Sequence, residues 1–340
     1  MNLMMKNKRP LTKHLSWNMG KIVRNYTPLL VLLLSIIIFS FIAPNFTTFN
    51  NFRLMIRQIS FVTISAVGLM FVMVGGGIDL SIGSQIIFTN IVLSLLMSST
   101  YGYSISPLIA IPICVVMGTI LGLFNGFLSN TLKVHPLIIT LGTSYIYKGL
   151  GYIIAGGRNI DGLPDSFRVY GQGYVGPVPV PIIIMVIVAI IGAYFLHNTS
   201  FGSHVFAMGG NQETAHLVGI NVKRMKLVVF AIAGFASGIT SVILLSRVFN
   251  GQVTTGAGIE FDALTAALLG GVSFAGGEGT ILGLITGVMI IGVLNNGMQL
   301  FGLADFYQNL VKGALLLAAV GYDIYQKNRN TKEITAKCAE

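Results

Sequence analysis

Phe61-Val-Thr-Ile-Ser-Ala-Val-Gly-Leu-Met-Phe-Val-Met-Val74 runs directly into Gly75-Gly-Gly-Ile-Asp-Leu-Ser-Ile-Gly-Ser84, and this junction decides the fold class. The apolar side extends back to Leu54 with Arg57 as its single charge, which is the length of helix that crosses a hydrocarbon core of roughly 30 Å. Beyond the glycines, a carboxylate and two hydroxyls interrupt the run before apolar residues resume. The rest of the chain repeats the pattern. Its 340 residues include 21 Lys+Arg and 11 Asp+Glu, so that 9% are charged and 54% apolar, with a mean hydropathy of +0.79. Globular proteins carry roughly 25% charged residues, and this chain has too little polar surface to cover a water-facing globule. It reads as an all-α polytopic membrane protein.

Apolar stretches bounded by Gly, Pro, Asn or charge predict about ten transmembrane helices: 26–43, 54–74, 80–99, 106–130, 136–155, 180–197, 225–247, 260–272, 279–300 and 306–325. The 260–272 stretch is too short to cross upright and is expected to be broken or re-entrant. A basic segment, 1–25, precedes the first span. No small-x-small cleavage site follows that span, which is read as retained rather than as a signal peptide. With the N-terminus inside, 14 Lys/Arg fall on the cytoplasmic side and five (Arg53, Arg57, Arg158, Arg168, Arg247) outside. The positive-inside rule thus places both termini, including the 326–340 tail, on the cytoplasmic side of the membrane. The basic residues lie in short segments between apolar stretches, so the net charge of +10 reports orientation and not a nucleic-acid partner.

Gly75-Gly76-Gly77-Ile78-Asp79 is echoed by Gly256-Ala257-Gly258-Ile259-Glu260, and Phe124-Asn125-Gly126 by Asn295-Asn296-Gly297. Both echoes are offset by five spans, an odd number, which predicts an inverted internal repeat. Gly118, Gly122 and Gly126 share one helix face, as do Gly234 with Gly238 and Gly283 with Gly287, and these are read as packing faces.

Asp79, with Ser81 and Ser84, is costly within a span, and must reach the interface, cap the next helix or face a hydrated cavity. Gly276, Gly277, Glu278 and Gly279 form a second irregular segment, read as a hinge or a plain turn. Lys148 and Lys312 lie within spans near their outer ends, where they either snorkel or face a hydrated path. The 198–224 loop contains Asn211-Gln212-Glu213-Thr214-Ala215-His216-Leu217-Val218-Gly219, followed by Lys223 and Arg224. Asn211 suits a helix N-cap, Glu213 the first turn and Gly219 the C-terminal stop. A helix of two turns is unstable alone in water and should dock on something.

No catalytic residue, metal site or cofactor is predicted. Cys114 and Cys338 have no companion ligands at metal spacing, and no GxxxxGK[ST], HExxH or GxSxG motif occurs. Gly171-Gln-Gly-Tyr-Val-Gly176 matches the dinucleotide fingerprint by letter but runs into Pro177-Val-Pro179, without the strand and helix that fingerprint needs.

From about residue 54 to 325 the chain resembles the permease subunit of bacterial ABC importers for simple sugars, the ribose-type family. The resemblance rests on Gly-Gly-Ile-Asp79-Leu-Ser81, on Gly209 to Ile220 as a GGNxxxAxxxGI-like segment, and on the LGGxSxxGGxG-like run at 269–279. It implies that 211–219 is a coupling helix seated on a cytoplasmic ATPase subunit. Two permease subunits (a homodimer or close relatives), an ATPase pair and an external sugar-binding protein are implied with it. Thr214 stands where that family often has Ala. A self-contained transporter driven by H⁺ or Na⁺ is the alternative, since inverted repeats and broken spans suit it equally. Asn125, Asn295, Asn296 and Gln299, with Asp79, Ser81, Ser84 and Lys312, are the candidate translocation-path residues, although such amides equally bond neighbouring helices.

Overall fold

The computed structural model describes residues 12–338, with side chains described for 27–325. The cations of the leader and the tail, on which most of the orientation argument rests, lie outside the described side chains.

The chain is helical almost throughout. In order, α1 is Thr12–Ile42, α2 Phe49–Val74, α3 Ile82–Met97, α4 Pro107–Leu132, α5 Pro136–Ala155, α6 Val169–Gln172 and α7 Val180–His197. There follow α8 Ser200–Gly210, α9 Gln212–Leu217, α10 Val222–Val248, α11 Ile259–Leu269, α12 Ile281–Leu300 and α13 Asp305–Cys338. Six helices (α2, α4, α5, α7, α10 and α12) are long and apolar enough to cross a membrane, and α1 from Thr27 and α3 add shorter apolar lengths. Three boundaries differ from the sequence expectation. α1 begins at Thr12 within the basic leader, and α13 continues into the tail. The 260–272 stretch shortens to the 11 residues of α11, about 16 Å at 1.5 Å per residue, which is half a bilayer core.

Burial sorts the helices into a core and a periphery. The apolar window of α2 is 83% buried, against 17% for α7 and 22% for α4 and α5, so α2 is sheathed by protein and the others present apolar faces outward. α10 is the second central helix and packs along α4, α2 and α3, while α2 packs on α10, α7, α12 and α11. The glycine faces make the closest of these contacts. A Cβ on Gly122 would stand 2.1 Å from the Phe230 carbonyl, and one on Gly234 2.2 Å from the Gly118 carbonyl, so α4 and α10 touch backbone to backbone. Gly283 and Gly287 meet Gly270 and Ala266 of α11 in the same way. Without a hydrophobic driving force in lipid, close packing of this kind is what holds helices together.

Two glycine-rich breaks position everything that follows. α2 stops at Gly75, Gly76 turns through φ 82, and the chain passes through an irregular segment and a turn at Leu80–Ser81 into α3. The second break, 249–258, descends from α10 to the start of α11, where Gly256 and Gly258 take φ 110 and 87. Residues 171–176 form part of a small hairpin, Tyr174–Val175 paired with Val178–Pro179, and have no preceding strand.

Candidate functional site

α9 forms where capping chemistry directs it. Asn211 is extended at φ −158, and its Oδ1 accepts from Thr214 N at 2.9 Å. At the other end Gly219 takes φ 90, while its N–H reaches the His216 carbonyl and the Ile220 N–H that of Ala215. Ala215 is buried, pinning the helix to the body. Leu217 and Val218 instead stand 80% and 71% exposed at its tip. The short, doubly capped helix thus presents an apolar tip. Lys223 and Arg224 are exposed just beyond it, at the start of α10, whose cap is Asn221.

Three glycine pairs from distant segments meet beneath α9. The Gly277 N–H donates to the Val74 carbonyl at 2.9 Å, and a Cβ on Gly209 would stand 1.7 Å from that same carbonyl oxygen. Gly276 abuts Gly76, and Gly277 abuts Gly210. Gly276 and Gly277 have φ 87 and 76, a left-handed backbone that only glycine adopts freely. The end of α2, the end of α8 and the α11–α12 loop therefore share one backbone junction. Glu278 is exposed here, and Thr280, not Glu278, caps α12 by accepting from Gly283 N. Asp323 of α13 holds the same loop by accepting from Phe274 N at 3.0 Å.

Asp79 sits fully buried in the first break. Its Oδ1 accepts from Ser81 N (2.9 Å) and Ser81 Oγ (2.6 Å), and its Oδ2 from Gln85 Nε2 (3.2 Å). The net continues outward. Asn125 Nδ2 of α4 donates to Ser81 Oγ at 2.7 Å, and Tyr147 of α5 donates to Asn125 Oδ1 at 3.0 Å. Asp79 thus bonds at the mouth of α3 and is sealed from the surface. Ser84 lies apart from this net and pairs with Ser144 Oγ of α5 at 2.8 Å.

A second carboxylate cluster lies on α11. Lys312 Nζ is 2.9 Å from Asp262 Oδ1, with side-chain exposures of 24% and 13%, and Asn295 Nδ2 donates to Asp262 Oδ2 at 3.4 Å. Asn296 turns elsewhere and makes a reciprocal amide pair with Asn51 of α2, both bonds 2.8 Å. Gln299 and Lys148 are exposed on their helices. Among the described residues, no three His, Cys, Asp or Glu side chains come together as a metal site.

The model of the family described as branched-chain amino acid transport system / permease component matches residues 51–320. The chain belongs to this permease family. It is 36% identical to the ribose import permease protein of Bacillus subtilis (strain 168) over 94% of this chain and 98% of the relative. It is also 36% identical to the L-arabinose transport system permease protein of Escherichia coli (strain K12), over 93% and 95%, and 34% identical to the D-allose transport system permease protein of the same strain, over 93% and 94%. No solved structure matches the chain. Membership makes it a multi-pass permease of the bacterial inner membrane.

Within the permease, the sequence-predicted site residues fall into three groups. Residues 211–219 form one capped helix, Asp79, Ser81 and Asn125 form one net, and Lys312 joins Asn295 through Asp262. Ser84, Asn296 and Gln299 join none of these. Sequence reasoning passed over Gln85, Tyr147 and Asp262. Asp262 had a signal: in a chain with 11 acids, a carboxylate inside an apolar stretch needs a partner, and Lys312 is a cation inside another such stretch.

Proposed function

We propose that the chain is the membrane-spanning subunit of an ATP-binding-cassette importer that brings a simple sugar or sugar-like solute into the cytoplasm, with α9 as the helix that docks on a separate ATPase. The observation that carries this reading is α9 itself, capped at both ends, pinned by Ala215, and presenting Leu217 and Val218 outward. Behind it, the glycine junction gives movement of α9 and α8 a direct backbone route to the end of α2 and to the α11–α12 loop. In this reading residues 198–224 are the coupling loop, and Gly276, Gly277, Glu278 and Gly279 are the hinge.

The relatives named for ribose, arabinose and allose support a simple sugar as cargo. The family's own description, a permease component, supports a division of labour with an ATPase, a second permease subunit and an external sugar-binding protein. It leaves the self-contained, ion-driven alternative without support. About ten bilayer-associated segments are supported by the apolar stretches, and cytoplasmic termini by the placement of cations between them. The packing pattern supports an inverted repeat of α2–α5 with α10–α13. α3 packs on α4, α5 and α10, and α11 correspondingly packs on α12, α13 and α2. Sugar would pass along uncharged polar side chains near these breaks, with Asp79, Ser81, Asn125 and Asn295 exposed only as the two repeats move.

The test is purification of the tagged chain in mild detergent together with its ATPase, and of a variant with both Leu217 and Val218 changed to Asp. ATPase co-elution with the parent chain and its loss in the variant is expected, with membrane insertion unchanged. Transport by the chain with no ATPase attached would overturn the reading.

A further inference from the structure

A groove of about 900 Å³ opens beside α9, walled by the α4–α5 turn, α9 and the first turn of α10. Lys133, Lys223 and Lys226 line it together with His135 and His216, and Glu213 is the one carboxylate among the lining residues. Its walls are fixed to one another, because Asn130 Nδ2 donates to the Lys223 carbonyl at 2.8 Å. Two long helices begin at this groove: α5, where His135 Nδ1 accepts from Leu137 N, and α10, where Asn221 Oδ1 accepts from Arg224 N. Their N-terminal dipole ends add to the positive field of the lysines.

Charge alone would make this a solvated face. The decisive feature is Ser129, which lines the groove at 2% exposure and whose Oγ has no hydrogen-bond partner. A buried hydroxyl left unpaired is costly, and one in the wall of a basic groove can be completed by a ligand rich in acceptor oxygens.

We propose that this groove binds a phosphate group, carried either by an anionic phospholipid or by a free phosphate compound. A phosphate offers several charged oxygens at once, matching ammonium groups, helix N-termini and a single hydroxyl better than one carboxylate would. The surroundings favour the lipid. Phe127 and Leu132 on α4 and Ile138 on α5 flank the α4–α5 turn at 55%, 56% and 61% exposure, where acyl chains would lie. Basic pockets between helices at the cytoplasmic surface are the usual seats of anionic headgroups. The groove shares α9 with the proposed ATPase dock, so the variants are placed at Ser129, Lys133 and Lys226, outside the docking residues.

The experiment uses the full chain with two variants, Ser129→Ala and Lys133→Gln with Lys226→Gln. Binding is measured to phosphatidylglycerol in phosphatidylcholine nanodiscs and, in detergent, to inorganic phosphate and pyrophosphate. Loss of the two lysines is expected to weaken binding about thirtyfold, the worth of two juxtamembrane cations, and loss of the hydroxyl a few-fold. Saturable, variant-sensitive binding of phosphatidylglycerol alone assigns the lipid, and of the soluble anions a free phosphate compound. Equal binding by parent and variants, or none by the parent, overturns the site. So does a lysine variant that loses ATPase co-purification and no phosphate binding, which would make the groove a dock for an acidic protein segment.

Discussion

Asp79 lies in the glycine break before α3 and Asp262 near the start of α11 after the second break, and the two carboxylates are met by different partners. Asp79, at 0% exposure, is held by neutral donors only, Ser81 and Gln85, themselves backed by Asn125 and Tyr147 from α4 and α5. Asp262 keeps some access to the surface and is met by a full charge, Lys312 of α13, with Asn295 in support. Hydrogen bonds from several fixed dipoles can hold a sealed carboxylate without a second desolvated ion, whereas an ion pair is tolerable where part of its hydration survives. The neutral net knits α3, α4 and α5 into one body. The ion pair, by contrast, is one polar tie added to the packing of a half-length helix against α13.

This contrast is broken most directly at Lys312. Lys312→Met leaves Asp262 largely buried beside one long amide bond, and removing one partner of such a pair costs about 3–4 kcal/mol. The midpoint of thermal unfolding in detergent should fall sharply. Adding Asp262→Leu in the same chain should recover most of the loss, because the stranded charge goes with it. If the single variant unfolds no earlier than the parent, the pair is not the tie between α11 and α13, and the two clusters do not differ as argued.

What could be read in advance depended on sequence distance. α9 was legible from Asn211, Glu213 and Gly219 because all of its capping lies within ten residues. The packing face of α4 was legible because Gly118, Gly122 and Gly126 repeat with the helix period, although only the structure shows that Gly118 and Gly122 meet Gly234 of α10 and Gly126 meets Leu227 and Phe230. α8 escaped notice: Gly202, Gly209 and Gly210 make it read as loop, yet Thr199 caps it and Val205 and Met208 bury its face. The pairing of Asp262 with Lys312 spans 50 residues and three helices, and no local pattern encodes it. The structure gives Lys312 a partner that neither sequence reading, snorkelling or a hydrated path, had named: its ammonium ends on the Asp262 carboxylate. The cost of Asp79 within a span showed that it needs partners, but the backing of its net by Asn125 of α4 and Tyr147 of α5 was not foreseeable without the tertiary contacts.

The sealed cluster sharpens the comparison through a graded pair of variants. Asp79→Ala strands two buried donors, Ser81 N and Ser81 Oγ, while Gln85 Nε2 keeps its bond to Ser81 Oγ, and should cost about 2 kcal/mol, less than Lys312→Met because no charge is left behind. Asp79→Asn should cost less than about 1 kcal/mol, since its carbonyl oxygen still accepts from Ser81. The new amide then faces Gln85, whose own Oε1 has no partner, so that rotation of the Gln85 amide supplies an acceptor. Near-parental unfolding of Asp79→Asn alongside clear loss in Asp79→Ala would show that the site needs acceptors at this position and not a negative charge. An Asn variant as unstable as the Ala variant would mean that the charge itself is required, and that the two halves of the permease neutralise their carboxylates more alike than their partners suggest.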